Sequence, residues 1–248
     1  MIDFEAIFKI ADCVLFLVNL LNSPLIPHNF HVHSKFSDGN LSPEKLTQLA
    51  QEQGVMYLGI TDHFGTHKLK PHMQITNLAQ YITNLRELQA QVESPTFHLK
   101  VGLEIDCSLS TGVDPTLWDF DLINQLDYVL LEYVQEDSFW EGRPLDEICA
   151  SVIPRLKIPR GLAHNHVIHN FKLQTREQYQ TFADQLHKNQ LFLELNEGEF
   201  ESNQSGGRYY FEHIPEPLIS ILKTTGVQFS IGTDVHAGPE LNHYSKAA

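Results

Sequence analysis

Val55-Met56-Tyr57-Leu58-Gly59-Ile60-Thr61-Asp62-His63 decides the reading of this chain. A short apolar run rich in strand formers follows Gly54 and breaks off abruptly into Thr-Asp-His. A strand whose last residues are polar and ionisable is the signature of a buried parallel sheet carrying chemistry at its edge. The same grammar recurs outward along the chain. Strand candidates at 31–33, 97–103, 128–133, 158–163, 191–195 and 227–231 alternate with helical patterns near 42–53, 76–92, 117–125, 145–153, 175–188 and 213–224. Ser42 followed by Pro43 is a good helix start, and Gly54 and Gly226 sit where a left-handed residue ends a helix. Such alternation implies parallel strands joined by crossover helices, and about seven units in one chain fit a single closed or nearly closed α/β barrel.

Short polar motifs rich in histidine and carboxylate close nearly every apolar strand at its C-terminal end. In order they are His31-Val32-His33, Ser37-Asp38-Gly39, Thr61-Asp62-His63, Gly102-Leu103-Glu104, Leu131-Glu132, Ala163-His164-Asn165-His166 and Gly232-Thr233-Asp234-Val235-His236. In a parallel barrel those ends share one face, where active sites are built. Residues two apart on a strand point the same way, which pairs His31 with His33 and Asp234 with His236. Imidazoles and carboxylates converging from several strands are the donors that zinc, manganese and iron accept.

These motifs, in this order from about Asn29 to His236, resemble those of the PHP superfamily, named for its polymerase and histidinol phosphatase members. The resemblance implies a distorted (βα)7 TIM-like barrel holding two or three divalent ions. His31, His33, Glu104 and Asp234 would surround one ion. Glu104 would bridge to a second, shared with His164, and Asp38, His63 and His236 would hold the third. Two positions depart from the pattern. Asn29 stands where an aspartate is common, offering His31 a neutral hydrogen bond in place of a charged one. Residues 127–135 hold no histidine after the fourth strand, so Glu132 is the local substitute as a ligand, with pairing to a nearby arginine as the alternative.

The resemblance implies a metal-dependent phosphoesterase, with a phosphomonoester of a small metabolite as the expected substrate and histidinol phosphate as one candidate. Water activated by the metals would attack phosphorus in line, and Asp234 or His236 would manage the leaving-group proton. A nuclease or nucleotide phosphodiesterase is the second enzymatic reading, and a non-catalytic metal-binding regulatory domain is the alternative of another class. A net charge of −14 disfavours polynucleotide partners and anionic membranes. No phosphate-binding G-x-x-x-x-G-K-[ST] loop, G-x-G-x-x-G turn or G-x-S-x-G elbow occurs. Asp106 is a rival to Glu104, and Asp62 is expected to hold a ligand in place without touching metal. His166, on the same strand face as His164, is a candidate ligand or substrate contact. Among the basic residues Lys68, Arg143, Arg160, Lys172 and Arg208, the preferred substrate contact is Arg208, in a polar segment at 198–210.

Residues 1–28 are expected to form an amphipathic helix and lead-in, with Ile7, Ile10, Ala11, Val14, Leu15, Val18 and Leu21 at helical spacing, ahead of a barrel domain over 29–248. Glu5, Lys9 and Asp12 make that stretch too charged to span a bilayer, and no basic region precedes it as in a signal peptide. Three scattered cysteines, Cys13, Cys107 and Cys149, offer no disulfide framework. A cytoplasmic location is the expectation.

Overall fold

The computed structural model describes residues 28–136, 141–196 and 214–237. Its strands are β1 (His28–Asn29), β2 (Tyr57–Ile60), β3 (His63–Phe64), β4 (His98–Asp106), β5 (Tyr128–Glu132), β6 (Arg160–Leu162), β7 (Leu191–Asn196) and β8 (Phe229–Gly232). All pair in parallel, in the order β1-β2-β4-β5-β6-β7-β8. The two-residue β3 continues the line of β2 along β4 after a break at Thr61-Asp62, so the barrel has seven staves. The Phe30 amide donates to the Ile231 carbonyl at 2.9 Å and Val32 bridges Val235, which nearly closes the ring between β1 and β8.

The helices are α1 (Pro43–Glu52), α2 (Leu78–Val92), α3 (Phe120–Ile123), α4 (Leu145–Ser151), α5 (Val167–Asn170), α6 (Arg176–Lys188) and α7 (Glu216–Thr225). Ser42 caps α1 ahead of Pro43, and Thr175 and Gln178 form a reciprocal capping box on α6. Gly54 and Gly226 take the left-handed conformation expected of them, with φ of 74° and 84°.

Side-chain alternation with period two builds the interior. On β5, Val129 and Leu131 pack outward into the main core with the helices, while Tyr128 and Leu130 join Phe30, Ala163 and Phe192 in a separate buried cluster. On β7, Leu191 and Leu193 face the helices and Phe192 faces that inner cluster. The inward positions that follow are Glu132 on β5 and Glu194 and Asn196 on β7. On these two staves an apolar plug is therefore followed, towards the C-terminal end, by a buried carboxylate, Glu132 or Glu194.

Some expected boundaries shift. The first strand is His28–Asn29, not 31–33, because beyond Asn29 the regular ladder gives way to single hydrogen bonds and one isolated bridge, Val32 to Val235. The helix expected at 117–125 shrinks to α3, since Trp118 is extended after a 3₁₀ turn at Pro115–Leu117. His164 and His166 lie beyond the end of β6, and α5 was not expected at all. The expected N-terminal helix and the polar segment at 198–210, including Arg208, lie outside the described residues. Among the described residues no helix is long and apolar enough to cross a membrane.

Candidate metal centre at the strand ends

The C-terminal ends of the strands bring the expected residues together. His31 and His33 flank Val32, and their Nε2 atoms lie 3.0 Å apart. Around this pair, His33 Nε2 stands 3.0 Å from Asp234 Oδ1 and 3.4 Å from Glu104 Oε2, while His31 Nε2 is 3.4 Å from Glu104 Oε1. His164 Nε2 approaches the other side of Glu104 at 2.7 Å, and His63 Nδ1 does so at 2.9 Å. Asp38 meets His63 Nε2 at 3.6 Å and His236 Nε2 at 3.3 Å. Three groups of ligand atoms among the described residues are close enough to share an ion: His31, His33, Glu104 and Asp234; His33, Asp38, His63 and His236; and His63, Glu104 and Glu132.

The donor set fits divalent ions. Both Glu104 oxygens, Asp234 Oδ1, Asp38 Oδ1, His33 Nδ1 and His63 Nδ1 are buried without an aligned hydrogen-bond partner among the described residues. Such orphans are costly unless a cation satisfies them. The imidazoles are also oriented for the task. With its Nδ1–H donating to Glu194 Oε1 at 2.8 Å, His31 presents the Nε2 lone pair to the cluster. With its Nδ1–H donating to the Asp234 carbonyl at 2.9 Å, His236 presents Nε2 to Asp38.

Electrostatics in the absence of a bound ion follow from this crowding. Burial opposes a charge on His63 and His164, but Glu104 outweighs it and raises both pKa values to about 10. Burial, reinforced by the charge on His63, lowers His33 to about 3. Burial would raise Glu104 and Asp234, yet the surrounding imidazolium charges, His31 foremost, hold both carboxyls well below their ordinary range. Burial likewise works against the Asp38 carboxylate, and the His236 hydrogen bond and His63 charge lower it to about 2.

The backbone is shaped to make these contacts. Asp234 adopts the left-handed region at φ 53°, uncommon for a residue with a side chain, and its amide donates to the His31 carbonyl at 3.0 Å. A Cβ on Gly232 would fall 2.1 Å from Glu194 Oε1 and 2.3 Å from the His31 Cβ, so only glycine lets β8 approach. Asp62 accepts from the Ser34 amide at 2.7 Å and from the Ser34 and Ser37 hydroxyls at 2.7 and 2.6 Å, pinning the turn that presents Asp38.

Other expectations are corrected. Asn29 does not hold the His31 ring: its Oδ1 accepts from the His31 and Thr233 amides, and its Nδ2 donates to Thr233. The ring is held by Glu194, which the sequence reading missed although Phe192-x-Glu194-x-Asn196 repeats the inward alternation of Tyr128-x-Leu130-x-Glu132. The second Glu194 oxygen accepts from the His164 amide at 3.0 Å, so one carboxylate braces two ligand-bearing segments. Asp106 turns to Thr66, Thr111 and the Ser108 amide, and takes no part in the cluster. His166 caps α5 by accepting from the His169 amide and belongs to none of the three groups. Glu132 sits within 3.5 Å of His63, and its basic neighbour is Lys68, not an arginine. Arg160 begins β6, at the opposite end of the barrel, and Arg143 pairs with Glu147.

Comparison with known proteins agrees with this geometry. The PHP domain family model matches residues 29–198. This chain belongs to the PHP domain family. A Listeria monocytogenes protein described as a candidate histidinol phosphatase superposes with a TM-score of 0.60 at 14% identity, covering 89% of this chain and 100% of that one. The Lactococcus lactis histidinol phosphate phosphatase, solved with zinc, L-histidinol and phosphate, gives a TM-score of 0.56 at 22% identity and covers 86% of this chain and 87% of that one. Both likenesses establish the family's barrel. The DNA polymerase/3'-5' exonuclease PolX of Bacillus subtilis is 26% identical over 113 residues, 46% of this chain. The match spans only 19% of PolX, about a fifth of its length.

Proposed function

We propose that this chain is a metal-dependent phosphoesterase whose substrate is a phosphomonoester of a small metabolite. The observation that carries the reading is the set of buried, orphaned carboxylate and imidazole atoms converging at the strand ends. His31, His33, Glu104 and Asp234 would hold one ion, Asp38, His63 and His236 another, and Glu104 with His164 and Glu132 offers donors towards a third position. Bound zinc, manganese or iron supplies positive charge that clamps phosphate oxygens and acidifies a water molecule.

The remaining work falls to the chain itself. Glu194 fixes the His31 tautomer, so that ring keeps its lone pair on the cluster side. Access comes from the flank of Asp234 and His236, whose side chains are 25% and 36% exposed while those of His31, His33 and Glu104 are 0%. A substrate entering there would meet Asp234 and His236 first, which supports one or the other as the group that manages the proton of the departing alcohol. Zinc, histidinol and phosphate together in the Lactococcus lactis relative support a small phosphorylated ligand of this kind. The match to PolX keeps a nucleic-acid phosphodiester in view, against which the net charge of −14 weighs.

Protein loaded with manganese, zinc or iron should release phosphate from an aryl phosphate and from members of a metabolite panel that includes histidinol phosphate. Glu104→Ala and His33→Ala should each remove that turnover. Faster release from single-stranded oligonucleotides than from any monoester would favour the nuclease reading, and no turnover on either class would overturn the proposal.

A further inference from the structure

Of the three ligand groups at the strand ends, the one formed by His63, Glu104 and Glu132 differs from the others. Lys68 Nζ reaches both Glu132 oxygens, at 2.6 and 2.7 Å, and also approaches the Tyr133 hydroxyl at 3.3 Å. The ammonium lies 4.6 Å from the centre of the Tyr133 ring, and the Lys68 side chain is only 11% exposed. Glu132 thus has its charge answered inside the protein. Its oxygens are absent from the orphaned buried atoms, whereas Glu104, Asp234 and Asp38 all contribute to them.

The ammonium is held in place by its own segment. The Lys68 amide donates to Thr66 Oγ1 at 3.1 Å, and that hydroxyl donates to Asp106 Oδ2 at 2.6 Å. The Thr66 amide is bound by the Gln74 side chain, and Asp106 itself is anchored by Thr111 and the Ser108 amide. Asp106, read from sequence as a rival ligand, has the task of seating this loop.

His63 supplies the second argument. Its Nε2 faces Asp38 while its Nδ1 faces Glu104 and Glu132, so it belongs to two of the three groups. A neutral imidazole has one lone pair and can serve one ion. A further cation beside Glu132 would have to compete for that lone pair or turn to His164 Nε2, 4.0 Å from Glu132 Oε2; either way it must displace the ammonium from both carboxylate oxygens and stand next to its positive charge.

Building on the metal-dependent reading above, we propose that the Lys68 ammonium takes the place of a cation at Glu132, so that the loaded chain carries two divalent ions and one built-in positive charge. The two ions take the His31, His33, Glu104, Asp234 group and the Asp38, His63, His236 group.

Elemental analysis of protein saturated with zinc and freed of excess should count two ions per wild-type chain. Lys68→Arg, which keeps the charge, should also hold two. Lys68→Met, which leaves the Glu132 carboxylate unanswered, should gain a third. Three ions in the wild type overturn the proposal whether or not any variant folds, and a folded Lys68→Met chain that still holds two overturns it as well. In both cases the metal-dependent reading stands. A wild-type chain that binds no ion overturns both.

Discussion

The two flanks of Glu104 solve the same electrostatic problem differently. Towards β1 and β8, the carboxylates of Glu104 and Asp234 face only imidazoles among the described residues, and several of the atoms involved lack aligned partners there. Towards β5, Glu132 faces a primary ammonium that binds both its oxygens. The first flank leaves buried oxygens without an aligned donor among the described residues, and the second supplies its own partner. A buried carboxylate at a strand end is therefore insufficient evidence of a metal ligand; what distinguishes one is whether its oxygens are already answered.

The largest expected effect from breaking the first flank without touching a ligand comes from Glu194. Glu194→Gln keeps the shape but removes the charge that fixes the His31 ring. Zinc affinity measured by competition with a chelator should fall by about 10- to 100-fold, as for other partners of ligating histidines. Unchanged affinity would mean that the 2.8 Å contact to His31 does not orient the ring.

Gly232→Ala tests the same flank by steric means. The added methyl would collide with Glu194 and His31, and denaturant unfolding of the metal-free protein should show a loss of about 1–3 kcal/mol. An unaltered midpoint would show that β8 can withdraw without cost.

The smallest effect is a pH dependence of the metal-free chain. His63 and His164 have an ordinary value of 6.5, and in the folded chain both are raised to about 10. Their contribution to stability is fully present below about pH 6.5 and lost as pH rises towards 10. Melting temperatures of chelated protein should accordingly decline over that interval, and zinc binding at pH 7 should release protons. A melting curve that holds level, or rises, between those pH values would contradict the charge assignment.

Much of this arrangement was legible in the sequence. Apolar runs ending in Thr-Asp-His, Gly-Leu-Glu and Gly-Thr-Asp-Val-His marked the strands and the shared rim, because period-two alternation and parallel pairing leave few other placements for those residues. Contacts made across the barrel were not legible. Glu194 lies 163 positions from His31, and nothing local to Leu193-Glu194-Leu195 signals a histidine partner. The pairing of Lys68 with Glu132 is hidden in the same way, by a separation of 64 residues. Asn29 stands near His31 in sequence, yet its side chain accepts from the His31 and Thr233 amides and donates to the Thr233 hydroxyl, tying together the segments that follow β1 and β8. His166 was misplaced because the chain leaves the sheet at Leu162, after which strand alternation no longer applies.

The claim on which the account depends is that the unanswered atoms of the β1 and β8 flank coordinate divalent ions. Anomalous diffraction from crystals grown with zinc tests it most directly. A peak within about 2.0–2.2 Å of the His31 and His33 nitrogens and of carboxylate oxygens from Glu104 and Asp234 is the predicted result. Zinc-saturated crystals with no anomalous density among those four side chains would contradict it.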